Sequence, residues 1–276
     1  MREDRASTGK RISNILRKEW KNTFSNLNSA LFLTILPLLV TAQALVLILL
    51  VMRFAGGDLL IGTVLGKGME RWLTVYPLPE GLSLSERFRV FFLSQLPSYL
   101  LLIPVMISVS FATFSIVEEK QERTLEPLLA TPVRTWELLF GKALAGAIPS
   151  LLITWFCAGL FTAGIVWMGS GHLLGFVLNA QWLISLFLLV PLFSLLAFML
   201  GVIASSKAND PKTAQNIAII VILPILAILG AQLTGSVVFT SPMLIVLAIV
   251  LGILNFFVLQ IAVRLFQRES IVVKWR

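Results

Sequence analysis

The chain has 276 residues, 57% of them hydrophobic and only 13% charged, with a mean hydropathy of +0.91. That composition excludes a soluble domain and places the chain among proteins that cross a membrane several times. The net charge of +8 does not point to nucleic acid, because the basic residues are scattered between apolar runs, and the single cysteine, Cys157, supplies neither a disulfide framework nor a cysteine-based metal site.

The first predicted element is an amphipathic helix. Ile12, Ile15, Leu16, Trp20, Phe24 and Leu27 recur at helical spacing, while Arg11, Asn14, Arg17, Lys18 and Lys21 fill the other face. Such a helix lies in the membrane interface with its basic side toward headgroups. It is either a plain anchor or a segment that contacts a partner and transmits force; the spacing leaves both open. Residues 1–30 thus form a cytoplasmic tail and interfacial helix, and 31–276 the membrane domain. Ala42-Gln43-Ala44 mimics a signal-peptide cleavage site, but the apolar run continues through Leu45–Met52, so the first span is expected to be retained.

Six spans are expected, at 31–52, 91–117, 138–168, 182–204, 216–234 and 242–266. Each approaches or exceeds the roughly 20 apolar residues a spanning helix needs. The runs are too long and too continuously apolar for barrel strands, so the fold class is an all-α membrane protein. Of the 22 lysines and arginines, all but Arg53, Lys67, Arg71, Arg87 and Arg89 fall on one side of this arrangement, which predicts cytoplasmic termini.

The external segment 53–90 is the longest loop. Gly56, Gly57, Gly62, Gly66 and Gly68 argue against regular structure in its first part. Ser83-Leu84-Ser85-Glu86 has the spacing of a capping box, so a helix is expected to start there and feed the second span. Pro37, Pro97, Pro104, Pro149, Pro191 and Pro224 fall inside spans, where each removes a backbone donor and tends to kink its helix. In span three, Ala143, Ala147, Ser150, Thr154 and Ala158 recur at near-helical spacing and predict a close packing seam.

The stretch between spans two and three gathers five of the fourteen acidic residues, Glu118, Glu119, Glu122, Glu126 and Glu137. Residues 118–137 hold eight charged side chains. Burying them at the bilayer centre would cost more than about 20 kcal/mol, at ~2.5–3.5 kcal/mol each. The stretch therefore lies in cytoplasm or in another protein. Thr124 is a cap, Pro127 is tolerated in a first turn, and Leu125, Leu128 and Leu129 form a small apolar face. Thr131-Pro132 then opens the next helix. Three leucines on a short charged helix are what a docking element requires.

These residues carry a resemblance. "EEKQERTLEPLLATPVRTWELLFGK" resembles the signature of bacterial ABC-transporter permeases of the second exporter type, on their drug- and sodium-exporter side; Arg123 stands where that family often has Gly. "ILRKEWKNTFSNLNSALFLTILPLL" is similar to the family's interfacial helix and first span, and "ASSKANDPKTAQN" (204–216) to its second cytoplasmic loop. The resemblance implies a homodimeric or paired six-helix permease in a bacterial or archaeal plasma membrane. A separate ABC ATPase subunit would dock on a cytoplasmic coupling helix between helices two and three. By that analogy Leu125, Leu128 and Leu129 are buried contacts, Glu118, Glu119, Glu122, Arg123 and Glu126 surround them, and Asn209, Asp210 and Pro211 make a smaller second contact.

No catalytic constellation, cofactor or metal is expected. The nearest approach to a phosphate-binding loop, Gly62 to Gly68, is one residue short and lacks the Ser or Thr. Glu118 to Arg123 matches the E-E-x-x-x-R motif of CAAX-type intramembrane proteases, but the partner histidine motif is missing: His172 is the single histidine, a plain loop residue preceded by Met168 where that motif needs Phe. An ion-gradient-driven secondary transporter is disfavoured because the predicted span centres hold no charge. A membrane partner without transport activity is a further alternative. Gln43, Gln95, Tyr99, Thr113 and Asn255 are candidates for a substrate path, though interhelical hydrogen bonding is the commoner use of such residues. The connection between spans five and six, about eight residues, is too short for the re-entrant hairpin of glycan exporters, which favours drugs, ions or small amphiphiles.

Overall fold

Inside hydrocarbon a chain must satisfy its own backbone, and these apolar runs do so as helices. A computed structural model describes residues 2–25, 27–54, 62–121, 135–207 and 222–265, and the regular structure among them is helical throughout. In chain order the helices are α1 (Arg2–Ser25), α2 (Leu27–Phe54), α3 (Val64–Val75), α4 (Leu84–Ser94), α5 (Leu96–Leu100), α6 (Leu102–Gln121) and α7 (Thr135–Trp167). A short 3-10 turn at Gly171–Leu173 leads into α8 (Leu174–Val177), α9 (Ala180–Ile184), a π-helical turn at Ser185–Leu189, α10 (Val190–Lys207), α11 (Leu223–Leu233) and α12 (Ser241–Leu265).

Five stretches are long and apolar enough to cross a bilayer: Leu33–Leu50, Leu84–Val117, Thr135–Trp167, Ala180–Ser206 and Ser241–Leu265. They coincide with five of the six expected spans. The expected fifth, 216–234, is represented by the eleven residues of α11, and 208–221 lie outside the described residues.

The bundle is built around α6 and α10. A Cβ at Gly201 would lie 2.9 Å from Ala112 Cβ, so the two helices approach as closely as glycine allows. On α7, Gly146 meets Phe111 and Phe198, and the expected seam of Ala143, Ala147, Ser150, Thr154 and Ala158 is buried throughout. Ser150 shares hydrogen bonds with Ser108 and Ser194, joining α6, α7 and α10 through a small polar knot. α2 crosses α7 where Gly164 receives Leu45. α12 presents Ile249, Ile253, Phe256 and Phe257 outward, an apolar surface suited to lipid.

The prolines divide into two groups. Pro37 and Pro149 sit inside continuous helices. Pro97, Pro104, Pro191 and Pro224 instead fall within the first few residues of a new helical segment, where the missing donor costs least. At the π-turn the Val190 N–H bonds to Ser185 O instead of Leu186 O, and the freed Leu186 carbonyl accepts from Trp155 Nε1 at 3.1 Å.

The capping box at Ser83 and Glu86 is present in both directions. The expectation that the preceding loop is irregular fails at Gly66 and Gly68, which lie within α3. Glycine is a poor helix former in isolation. Here a Cβ at Gly68 would stand 2.1 Å from the Leu233 carbonyl oxygen, so tertiary contact requires the glycine that local propensity disfavours.

Candidate functional site

The charged stretch that drew attention in the sequence has two stems, the end of α6 and the start of α7. Residues 122–134, with Glu122, Arg123, Leu125, Glu126, Leu128 and Leu129, lie outside the described residues, as do Asn209, Asp210 and Pro211. Both stems are tied to α1 by buried charge.

At the centre is Lys142, about two helical turns into α7 and fully enclosed. Its Nζ lies 2.8 Å from Glu19 Oε1, 3.0 Å from Glu119 Oε1 and 2.6 Å from Ser115 Oγ. Ser115 in turn donates to Glu19 Oε2 at 2.7 Å. Lys18 reaches Glu119 Oε1 from the half-exposed side at 3.1 Å. The three ammonium donors of Lys142 are thus matched to three acceptors, one on α1 and two on α6. Two carboxylates and two ammonium groups balance, which is the condition under which buried charge is tolerated.

A turn away, Glu137 is equally enclosed, at 1% exposure. Thr8 donates to its Oε1 at 2.9 Å, and Arg11 approaches its Oε2 at 3.5 Å. Packing completes the joint. Ile15 lies against Gly141, where a Cβ would come within 3.0 Å of Ile15 Cγ2, and Trp20 Nε1 donates to the Ala145 carbonyl at 2.9 Å. Gly141 and Lys142 are adjacent, so close approach of the helices and charge pairing occur at one level of α7.

Several expected features land differently. The apolar face of α1 rests on α7 through Ile15 and Trp20, while Phe24 is exposed. Glu119, expected among the polar residues surrounding an ATPase contact, is only 7% exposed and its carboxylate is engaged inside the chain. Lys142, close to the expected start of span three, is inside the bundle because two carboxylates and a hydroxyl replace its water. Glu19 was not anticipated at all. Its signal was present: it falls on the apolar side of α1, one turn after Ile15 and Leu16, and a carboxylate there demands a cation.

The candidate substrate-path residues do not converge. Gln43 is exposed on α2. Gln95 is buried and donates to Phe91 O, Tyr99 OH donates to Val40 O at 3.4 Å, and Asn255 Nδ2 donates to Leu192 O at 3.0 Å. Thr113 Oγ1 is buried with no hydrogen-bond partner among the described residues. Tyr99 and Asn255 therefore make interhelical hydrogen bonds. His172 pairs with Glu86 Oε1 at 3.1 Å at the far end of the bundle, with α6 between it and Glu119. Twenty residues of helix correspond to about 30 Å, so His172 and Glu119 cannot form one catalytic centre.

A comparison with curated proteins gave no match. The family model described as ABC-2 family transporter protein matches residues 82–248, more than half of the chain and including both stems of the charged stretch and α7 in full. The chain therefore belongs to the ABC-2 transporter family, as a multi-pass, membrane-embedded permease component.

Proposed function

We propose that this chain is the permease subunit of an exporter powered by a separate ABC ATPase, which docks on residues 122–134. In this reading the chain has six spans, both termini are cytoplasmic, the host membrane is a bacterial or archaeal plasma membrane, and two such subunits pair around the translocation path. Leu125, Leu128 and Leu129 enter the ATPase cleft, Glu118, Glu122, Arg123 and Glu126 line its rim, and Asn209 to Pro211 make the lesser contact. Gln43, Gln95, Tyr99, Thr113 and Asn255 remain candidates for the substrate path only in a rearranged state.

One observation carries the reading. The two stems of the charged stretch are joined to each other and to α1 by the Lys142 cluster, so a push on the stretch moves α6, α7 and α1 together. A merely solvated loop needs no such bracing. The family match adds that ABC-2 proteins are membrane components that typically work with an ATPase subunit.

The test is affinity purification of the tagged chain from native membranes, with scoring for a co-purifying P-loop ATPase and for ATP hydrolysis. Wild type should bring the ATPase down and Leu128→Asp should lose it. A folded wild-type chain that captures no ATPase would sink the proposal. A second reading draws on the same buried charges, since ionisable groups inside a bundle serve as relays in secondary transporters. It requires substrate movement in ATP-free vesicles on an imposed ion gradient, and loss of that movement in Lys142→Met.

A further inference from the structure

At the end of the bundle opposite the Lys142 cluster, α3 lies across the turn that joins α11 to α12. The contact is made by backbone: Gly68 faces the Leu233 carbonyl, and Gly235, at φ +65°, would bring a Cβ within 2.7 Å of the Gly68 oxygen. Two hydrogen bonds tether the same surfaces, Arg71 Nη1 to Thr234 O at 3.4 Å and Tyr76 OH to Phe239 O at 3.0 Å.

Beneath this contact is a pocket of about 30 Å³, room enough for one or two water molecules. Trp72 of α3, which also packs with Met69 against Phe88, Val90 and Phe91 of α4, and Phe239 of the turn line it together with Gln95, Ser98, Gln181, Ser185 and Gln232. Gln232 is only 7% exposed, and its Oε1 has no hydrogen-bond partner among the described residues. A buried amide oxygen without a donor costs roughly 1–3 kcal/mol, so the site is built to receive one. None of the lining residues is ionisable. Ser185 also opens the π-turn, a feature that recurs where helices serve function.

We propose that this pocket is the closed form of an outward-facing site for an uncharged, hydrogen-bonding group, and that α3 is its lid. The proposal rests on the export reading for the direction in which the pocket opens. With α3 seated, the pocket has room for little more than water. With α3 lifted off the turn, Gln232 Oε1 accepts from the incoming group, the serines and Gln95 supply further hydrogen bonds, and Trp72 leaves the mouth. The absence of ionisable lining residues selects against ions, whose desolvation nothing there would offset.

The test uses the full chain in sealed vesicles carrying Ser185→Cys, with exposed Ser236→Cys as reference, and follows labelling by a membrane-impermeant maleimide. Cys157 is buried and is controlled by the unsubstituted chain. With α3 seated, position 185 should label at least about tenfold more slowly than position 236. Gly68→Val, whose side chain cannot coexist with the Leu233 carbonyl, should bring the two rates together. Because that variant could fail to fold, Arg71→Ala with Tyr76→Phe, which removes both tethers and adds no volume, repeats the comparison. In the opened variants acetamide should slow labelling, whereas acetate and methylammonium should not. Equal rates at the two positions with α3 intact, or no acceleration in either folded variant, would overturn the lid. Protection by the charged probes as strong as by acetamide would overturn the ligand class. No arm needs the ATPase, so failure here is distinguishable from failure of the export reading, which ATPase capture decides.

Discussion

Replacing Lys142 by methionine keeps the length of the side chain and removes its charge. Glu19 then keeps Ser115 as a hydrogen-bond donor, and Glu119 keeps its contact with the half-exposed Lys18. Removing one partner of a buried ion pair costs about 3–5 kcal/mol, because the carboxylates stay where water cannot reach them. Lys18, half-exposed, offsets at most about 1 kcal/mol of that. The cheapest relief is not global unfolding but detachment of α1, which returns Glu19 to water. The net cost of about 2–5 kcal/mol raises the detached population by roughly thirty- to a few thousand-fold, at 1.4 kcal/mol per tenfold. Arg17, Lys18 and Lys21 on α1 make this readable by limited trypsin digestion of the purified full chain, since cleavage follows the open population when closing is fast. Lys142→Met should be clipped within α1 far faster than wild type at a temperature where the rest of the bundle stays intact. Combining it with Glu19→Gln and Glu119→Gln should restore most of the protection, because neutral groups of similar shape carry little desolvation cost. If Lys142→Met is as resistant as wild type, or if the triple variant is as labile as the single one, the charge balance is not what holds α1.

Three other substitutions probe separate parts of the structure. Gly141→Leu should drive Ile15 from its seat at a cost of about 1–3 kcal/mol, giving the same α1 cleavage, and Ile15→Ala should reverse it. Gly201→Val, at the closest approach of α6 and α10, should destabilise the bundle by a comparable ~1–3 kcal/mol, read as a lower melting temperature, while leaving α1 protected before the melt. Ser83→Ala removes a reciprocal cap and should cost about 0.5–2 kcal/mol, seen as faster amide exchange in the first turn of α4 with ATPase capture unchanged.

What the sequence made legible was what depends on neighbours along the chain. Five spans, the amphipathic character of α1, the Ser83 capping box and the small-residue seam of α7 all follow from periodicity or spacing, and each is present. The misses share one cause. Gly66 and Gly68 looked like breakers because helix propensity is local, while the reason for glycine at 68 is the carbonyl of Leu233, 165 positions away. Glu119 looked like surface because its neighbours in sequence are charged, while its environment is set by Lys142 on another helix.

Counting charges along a membrane chain assumes that a lysine near the end of a span is in water. Lys142 shows why that assumption fails where the ends of helices are themselves packed. α1 lies over the start of α7, Gly141 lets it come close, and the level at which a lysine would otherwise reach solvent is covered by protein. Glu19 is then not a blemish on an apolar face but the group that lets α1 close over Lys142, with Ser115 and Glu119 completing the shell from α6. The same logic places the strength of the joint in geometry and not in the number of ion pairs: the enclosed contacts resist separation, and the exposed Lys18 contributes little. On the proposed reading, a push delivered to residues 122–134 would reach three helices through this one point, where both stems and α1 meet.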